Sequence, residues 1–596
     1  MCGICGEITF GVNRVDSAAV ERMVSTMFSR GPDGSGLVAR GKVVFGHRRL
    51  KIIDLSEAAQ QPMVDSDLGL SITFNGAIYN YKELKKELEE KGYRFFSTGD
   101  TEVILKAYHA WGSECVSRLN GMFAFAIHER DTGRVVLARD RLGIKPLYYT
   151  ESGQTFRFAS TLPALLAAGG VDTTLDSVAL NYYMTFHSVV PPPRTILNGV
   201  KKIPPATVTV IEPDGKWRQE KYWDLTFECR TDHSSLSESE WVDGTLNTLR
   251  KSVQRRLVAD VPVGVLLSGG LDSSLLVGLL CEHGAQGVET FSIGFDAVGG
   301  EAGDEFEYSD IIAKRYSTRH HKLSIDASRT LPALRECIQQ MSEPMVSHDN
   351  VGFYLLSQEV AKYVKVVQSG QGADEIFGGY HWYPPMMQTT NALQTYQKAF
   401  FDRSFEEYRE LVSPGLADQD WAKEFVETHF SRQGAKRCID KALRIDTQVM
   451  LIDDPVKRVD NHTMAASLEA RVPFLDHEVV EFAATVPAEM KIASGGKHIL
   501  KEAARRIIPA EVIDRPKGYF PVPALKYLRG QFYEMAKDAV TNSMATRRNL
   551  FQSKMVKSLL QSPEEHITPL RGSKLWQIAL LELWLQEHVP EGGGAS

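Results

Sequence analysis

A cysteine stands at position 2, directly after the first methionine, in Met1-Cys2-Gly3-Ile4-Cys5-Gly6. Small second residues favour removal of an initiator methionine, which would leave Cys2 with a thiol and a free α-amine. An α-amine titrates near pH ~8, so part of it is unprotonated at neutral pH and can take the thiol proton, directly or through water. Such a residue carries its own general base. Its plainer reading is a small residue at the start of a strand.

A second chemistry-bearing segment lies far downstream. Ser268-Gly269-Gly270-Leu271-Asp272-Ser273-Ser274 follows an apolar run at 261–267 and opens a helix. Two glycines let the backbone approach an anion, and the first-turn N–H groups and helix dipole point at it. Three serine hydroxyls add donors. Asp272 would repel a phosphate unless a cation sits between them, which points to Mg²⁺. No Walker A lysine follows and the pattern is not GxGxxG, so this is neither a P-loop nor a dinucleotide fingerprint. Ser369-Gly370-Gln371-Gly372-Ala373-Asp374-Glu375 repeats the arrangement after a run at 365–367. Two such turns on neighbouring strand ends face one crevice, the usual ligand position in open α/β sheets. Asp374 is placed to share the metal with Asp272.

Holding these groups takes more than one core, since 596 residues suggest two to four domains. Strands are expected at 4–10, 43–45, 70–74, 123–127, 135–139 and 157–159, with helices at 83–91 and 102–110. That mixture, without strict βαβ alternation, argues for an α+β layered sandwich over 1–210. Residues 211–240 read as a polar connector. From 241 the pattern becomes α/β with a parallel sheet: runs at 261–267, 290–295 and 365–367 alternate with helices at 274–283 and 310–316. Residues 390–590 read as mainly helical, and 591–596 as a flexible tail.

Composition narrows the partners. With 43% hydrophobic and 24% charged residues the chain reads as an ordinary soluble protein, and a net charge of −7 leaves no footprint for nucleic acid. No stretch approaches a membrane span or a secretory leader. The seven cysteines are odd in number and scattered, which fits a reducing, cytoplasmic compartment. Cys2 and Cys5 form a CxxC, but no second ligand pair accompanies it.

Across nearly its whole length the chain resembles the glutamine-dependent asparagine synthetase family. The motifs that carry the resemblance are Met1-Cys2-Gly3-Ile4, Arg30-Gly31-Pro32-Asp33, His47-Arg48-Arg49-Leu50, Asn75-Gly76-Ala77-Ile78-Tyr79-Asn80, the 268–274 loop, and Ser467-Leu468-Glu469-Ala470-Arg471-Val472-Pro473-Phe474-Leu475-Asp476. The resemblance implies an N-terminal-nucleophile hydrolase sandwich (αββα) acting as a glutaminase, followed by an ATP-pyrophosphatase domain. Cys2 would attack the glutamine amide and release ammonia through a thioester, with Asn75 and the Gly76 N–H as oxyanion hole. Arg49 would hold the glutamine carboxylate and Asp100 its ammonium, with Leu50, Lys51, Ile52, Ile53 and Ala77 completing the pocket.

In the second domain, the resemblance has AMP transferred from ATP to a carboxylate and pyrophosphate cradled by the 268–274 loop. Leu266, Ile293, Ser369 and Gly370 would line the nucleotide. Gln371, Asp374 and Glu375 would face the acceptor, Asp272 and Asp374 would hold Mg²⁺, and Lys517 would stabilise the adenylated intermediate. Ammonia would cross between the sites by an apolar channel. The implied partners are small molecules, and a homodimer is compatible with the family.

Two residues depart from the family pattern: Ala77 and Gln371 both stand where glutamate is usual. Ala77 removes a polar group at the glutamine site. Gln371 removes an anion facing the acceptor, which suggests an acceptor without the α-ammonium of free aspartate. The wording of 369–375 and of Tyr380-His381-Trp382-Tyr383-Pro384 looks closest to bacterial N-acetylglutaminylglutamine amidotransferases, which amidate a blocked dipeptide used as an osmoprotectant. A true asparagine synthetase and a non-catalytic sensor on the same scaffold are the alternatives. Ring closure, as in β-lactam synthetases, is opposed by the retained Cys2.

Overall fold

The computed structural model describes residues 2–228, 236–295, 305–515 and 528–589. Its first part is a sandwich of two six-stranded sheets. One sheet runs Lys201–Lys202, Tyr148–Ser152, Thr155–Ala159, Gly3–Thr9, Val43–Arg49, Gly34–Arg40. The other runs Trp217–Lys221, Thr207–Ile211, Val135–Arg139, Gly121–Glu129, Leu70–Ile78, Met63–Asp65. Alternation along the strands sends Ile4, Ile8, Phe45, Phe158, Ala124 and Leu137 into one core between the sheets. Helices Ser17–Thr26 and Leu162–Ala168 cover the first sheet, and Tyr81–Glu90 and Asp100–Trp111 cover the second. The layers are therefore αββα.

The sandwich does not stop at 210. Thr207–Ile211 pairs antiparallel with Trp217–Lys221 across the turn Glu212-Pro213-Asp214-Gly215. A Pro-Asp-Gly turn and an exposed, charge-bearing edge strand look like a polar linker in sequence, because edge strands carry charge to resist further pairing. The next helix, Glu238–Arg255, begins at a capping box on Ser237 and Glu240, so the expected connector is short at both ends.

The second part is built on a five-stranded parallel sheet in the order Arg319–Ile325, Glu289–Phe295, Val263–Leu266, Val366–Gln368, Glu469–Arg471. Chain order reverses between Val263–Leu266 and Val366–Gln368, and at that switch point the carboxyl ends of two strands open a crevice. The outermost strands escape sequence reading because both are rich in charge. Arg319–Ile325 is an exposed edge, and Glu469–Arg471 hides a buried ion pair, Arg471 Nε to Glu469 Oε1 at 2.5 Å. Helices make up most of the remainder; Lys574–His588 buries Trp576 and Trp584. Among the described residues no helix is long and apolar enough to cross a membrane.

The two parts meet over a wide contact. Leu50, Ile52, Met122 and Ile144 of the sandwich join one contiguous apolar core with Met341, Val459 and Leu468 of the second part. Three sandwich cations also enter carboxylates of the second part. Arg30 and Lys145 meet Asp460, at 2.9 and 3.1 Å, and Lys202 meets Glu343 and Asp453, at 3.1 and 2.7 Å. Removing one member of such a buried set leaves an uncompensated charge, which costs about 3–5 kcal/mol.

Two candidate active sites

Cys2 is 7% exposed and stands at the head of the central strand Gly3–Thr9. Its backbone N–H donates to Asn75 Oδ1 at 3.0 Å. Asn75 is fully buried, and its Nδ2 has no partner among the described residues. A buried amide donor left over beside a thiol is suited to a charge that forms during reaction. Gly76 follows, and a Cβ there would lie 2.1 Å from Met122 O, so only glycine lets this strand pass. Burial pushes the Cys2 thiol up, while the Leu50 N–H and the Arg49 charge pull it down.

Around Cys2 lies a small pocket walled by Arg49, Leu50, Ile52, Ile53, Gly76, Ala77 and Asp100. The Arg49 guanidinium is fixed by two loop carbonyls, Ser56 O at 2.9 Å and Asp54 O. Asp100 heads the helix Asp100–Trp111 and accepts from Ile78 N at 3.0 Å. Burial pushes its carboxyl up to about 6, against the pull of that N–H. Lys51 does not reach the pocket: its Nζ pairs with Glu57 at 2.6 Å on the outside, and its N–H donates to Asp33.

Sequence reading missed Gln61, Thr101 and Glu469, which also wall this pocket. Gln61 is a brace, taking Phe74 N–H at 2.7 Å and reaching Thr101 Oγ1 at 3.2 Å. Glu469 comes from the other domain. Against burial, Arg471 and Lys145 hold its carboxyl down at about 2, so it presents a fixed negative charge near Cys2 and Asp100. Its signal in sequence was a charged pair, Glu469 and Arg471, set between apolar residues. Cys5 turns instead into the apolar core with Val20 and Val24, and no group of three or more metal-ligating side chains occurs among the described residues.

The second site is the crevice at the switch point. Leu266, Ser268, Asp272, Ser273, Ile293, Ser369 and Gly370 line it. Gly269, Gly270, Leu271 and Ser274 lie in the loop and first helical turn without lining the crevice. Gly269 has φ +73, and a Cβ there would sit 2.9 Å from Ser309 N. Ser268 and Ser273 bond each other, Oγ to Oγ at 3.0 Å, and Gly270 N donates to Ser268 Oγ at 3.3 Å. Gly370 brings the second loop against the first, since a Cβ on it would be 3.0 Å from Asp272 Cβ.

Asp272 and Asp374 converge, but on a side chain not foreseen: Lys497 Nζ lies 2.7 Å from Asp272 Oδ2 and 2.9 Å from Asp374 Oδ1. Two carboxylates aimed at one cationic position beside a phosphate-type loop are a hard oxygen donor set, and they fit Mg²⁺ once phosphate oxygens complete it. Lys497 is itself held well above its usual range by these two aspartates, against burial.

Gln371, Asp374 and Glu375 also line the crevice, with Tyr380, Asp349 and Arg458. Tyr380 donates to Glu375 Oε1 at 2.8 Å. Burial and the Asp374 charge push the Glu375 carboxyl up to about 7. Tyr380 stacks on Trp382 with centroids 4.1 Å apart. Trp382 and Tyr383 in turn donate to Asp446, at 2.9 and 2.7 Å, which fixes this aromatic wall. Lys517 lies outside the described residues.

Family models match both parts: a glutamine amidotransferase domain over residues 1–223 and asparagine synthase over 244–586. The chain is 32% identical over 590 residues to asparagine synthetase [glutamine-hydrolyzing] 3 of Bacillus subtilis, covering 93% of each chain. It is also 32% identical over 630 residues to asparagine synthetase [glutamine-hydrolyzing] 1 of the same organism, covering 98% of this chain and 96% of the other.

Proposed function

Since the chain belongs to the glutamine-hydrolysing asparagine synthetase family, a group of ATP-using C–N ligases that take nitrogen from glutamine, we propose that it amidates the carboxylate of N-acetylglutaminylglutamine. Cys2 Sγ attacks the side-chain amide of glutamine, its proton passing to the α-amine once Met1 is removed. Asn75 Nδ2 and the Gly76 N–H receive the oxyanion; ammonia leaves, and water releases glutamate from the thioester. Arg49 holds the glutamine carboxylate and Asp100 its ammonium.

In the crevice an acceptor carboxylate oxygen attacks the α-phosphorus of ATP and pyrophosphate departs toward the 268–274 loop. Ammonia then displaces AMP from the acyl adenylate. Mg²⁺, held by Asp272 and Asp374, would neutralise charge on the phosphates. Lys517 matches the family lysine for the adenylated intermediate. The family resemblance implies an apolar path by which ammonia crosses between the sites unprotonated.

One observation carries the choice of acceptor. At the acceptor end position 371 is a neutral amide, and the Glu375 carboxyl, pushed up to about 7, is only partly ionised at neutral pH. Asp374 is already paired with Lys497. Asp349, the remaining carboxylate here, faces Arg458 at 3.9 Å, so this end offers an α-ammonium less unpaired negative charge than a glutamate at 371 would, and a blocked N-terminus carries no ammonium. The names of the relatives favour the second reading, aspartate as acceptor. Pyrophosphate release with glutamine and ATP decides between them. N-acetylglutaminylglutamine is expected to exceed aspartate by ~10²-fold or more in kcat/KM, because a site shaped for one polar pattern rejects another strongly. The reverse ranking would make the enzyme an asparagine synthetase, and ADP with orthophosphate as products would refute adenylation.

The role of Asp100 has a pH signature. Only its carboxylate form can bind the glutamine ammonium, and that form is lost as pH falls through about 6. KM for glutamine is therefore expected to climb below that pH, approaching ~10-fold per unit. Glutaminase kinetics from pH 8 down to 5 measure this, and a flat KM would remove Asp100 from ammonium binding.

A further inference from the structure

Arg30 ties the Cys2 segment to the second domain. Its Nε donates to the Cys2 carbonyl at 3.2 Å and its Nη1 to Asp460 Oδ2 at 2.9 Å. Lys145 Nζ donates to Asp460 Oδ1 at 3.1 Å, so one carboxylate from the second domain receives two cations of the first. All three side chains are buried. Arg30 and Lys145 hold the Asp460 carboxyl below the usual carboxylate range, overcoming burial.

Asp460 lies on the helix Lys457–Met464. Arg458, two residues earlier on the same helix, lines the ATP crevice. Residues two apart on a helix point about 200° from each other, so this helix turns one face to the crevice and the opposite face to Arg30. The chain of contact is short: crevice, Arg458, about half a turn of helix, Asp460, Arg30, Cys2 carbonyl.

We propose that Asp460 is a positioning residue that makes glutamine hydrolysis depend on occupancy of the ATP crevice. Charge-assisted bonds at these lengths tolerate little displacement. A ligand that draws Arg458 into the crevice shifts the helix, and Asp460 carries Arg30 and the Cys2 carbonyl with it. With the crevice empty the tie restrains the Cys2 carbonyl, and with it the thiol, while Asn75 Oδ1 holds the Cys2 N–H; the shift lifts that restraint, and loss of Asp460 or of the Arg30 fork lifts it permanently. The inference rests on the two-site reading above.

Its test is the ratio of glutamine hydrolysed to pyrophosphate released, with glutamine, ATP and the acceptor found by the screen. In Asp460→Asn the ratio is expected to rise about fivefold or more, the size of an ordinary coupling between sites, while ammonia-driven pyrophosphate release stays within about twofold of the parent enzyme. A purely structural role would lower both activities along with the melting temperature and leave the ratio unchanged, which would overturn the proposal. Should Asp460→Asn not fold, Arg30→Lys decides. A lysine keeps the charge but cannot span the Cys2 carbonyl and the Asp460 carboxylate as the guanidinium fork does, so the ratio rises if the tie matters and stays put if it does not. A parent enzyme that releases no pyrophosphate with any acceptor brings down the two-site reading and this proposal with it. An unchanged ratio brings down the proposal alone.

Discussion

Replacing Cys2 with alanine is expected to abolish amide formation from glutamine while amide formation from ammonium salts continues. The substitution removes one sulfur atom and nothing that holds the pocket together. Arg49 keeps its two loop carbonyls, Asp100 keeps the Ile78 N–H, and the backbone N–H at position 2 still reaches Asn75 Oδ1. Glutamine hydrolysis should fall by ~10³-fold or more, since loss of a nucleophile leaves only what the oxyanion hole and binding supply. Ammonia-driven synthesis should stay within about threefold, because the ATP crevice contains no atom of residue 2. Glutamate and pyrophosphate release, measured side by side with either nitrogen source, check both halves. Loss of the two activities together would mean that the chemistry is not divided between two sites.

The second large effect is expected from Asp272→Ala. ATP-dependent pyrophosphate release should drop by ~10²–10³-fold, as for other losses of transition-state charge stabilisation, with glutaminase activity still measurable in the same preparation. Lys497 retains Asp374 at 2.9 Å, so the substitution does not strand a buried cation and the fold should survive. Both products assayed on one sample, with a melting curve, separate chemistry from unfolding. Undiminished pyrophosphate release would remove the 268–274 loop from ATP chemistry.

The legible parts of the chain were those where local backbone chemistry and function coincide. The 268–274 loop declared itself because glycines, serines and a helix start all follow from one anion-binding geometry. The strand carrying Asn75 and Gly76 was visible at 70–74 from its β-branched and aromatic residues, although it runs on to Ile78. What stayed hidden depends on contacts between distant segments. Trp217–Lys221 looked like linker because its strand character exists only in its pairing with Thr207–Ile211. Lys497 gave no sign that it would lie between Asp272 and Asp374, since 225 residues separate it from the first of them. Glu469 belonged to a recognisable motif, but nothing local says that a carboxylate there looks into a pocket of the other domain.

That shared wall limits how this enzyme can be recombined. A front half cut away after Lys221 would lose Glu469 from its glutamine pocket and leave Arg30, Lys145 and Lys202 without their counter-ions. A back half alone would hold Glu343 and Asp453 beside an absent Lys202. Chimeras with relatives must therefore inherit both faces of the seam from one parent, and the two halves are bound to change in step.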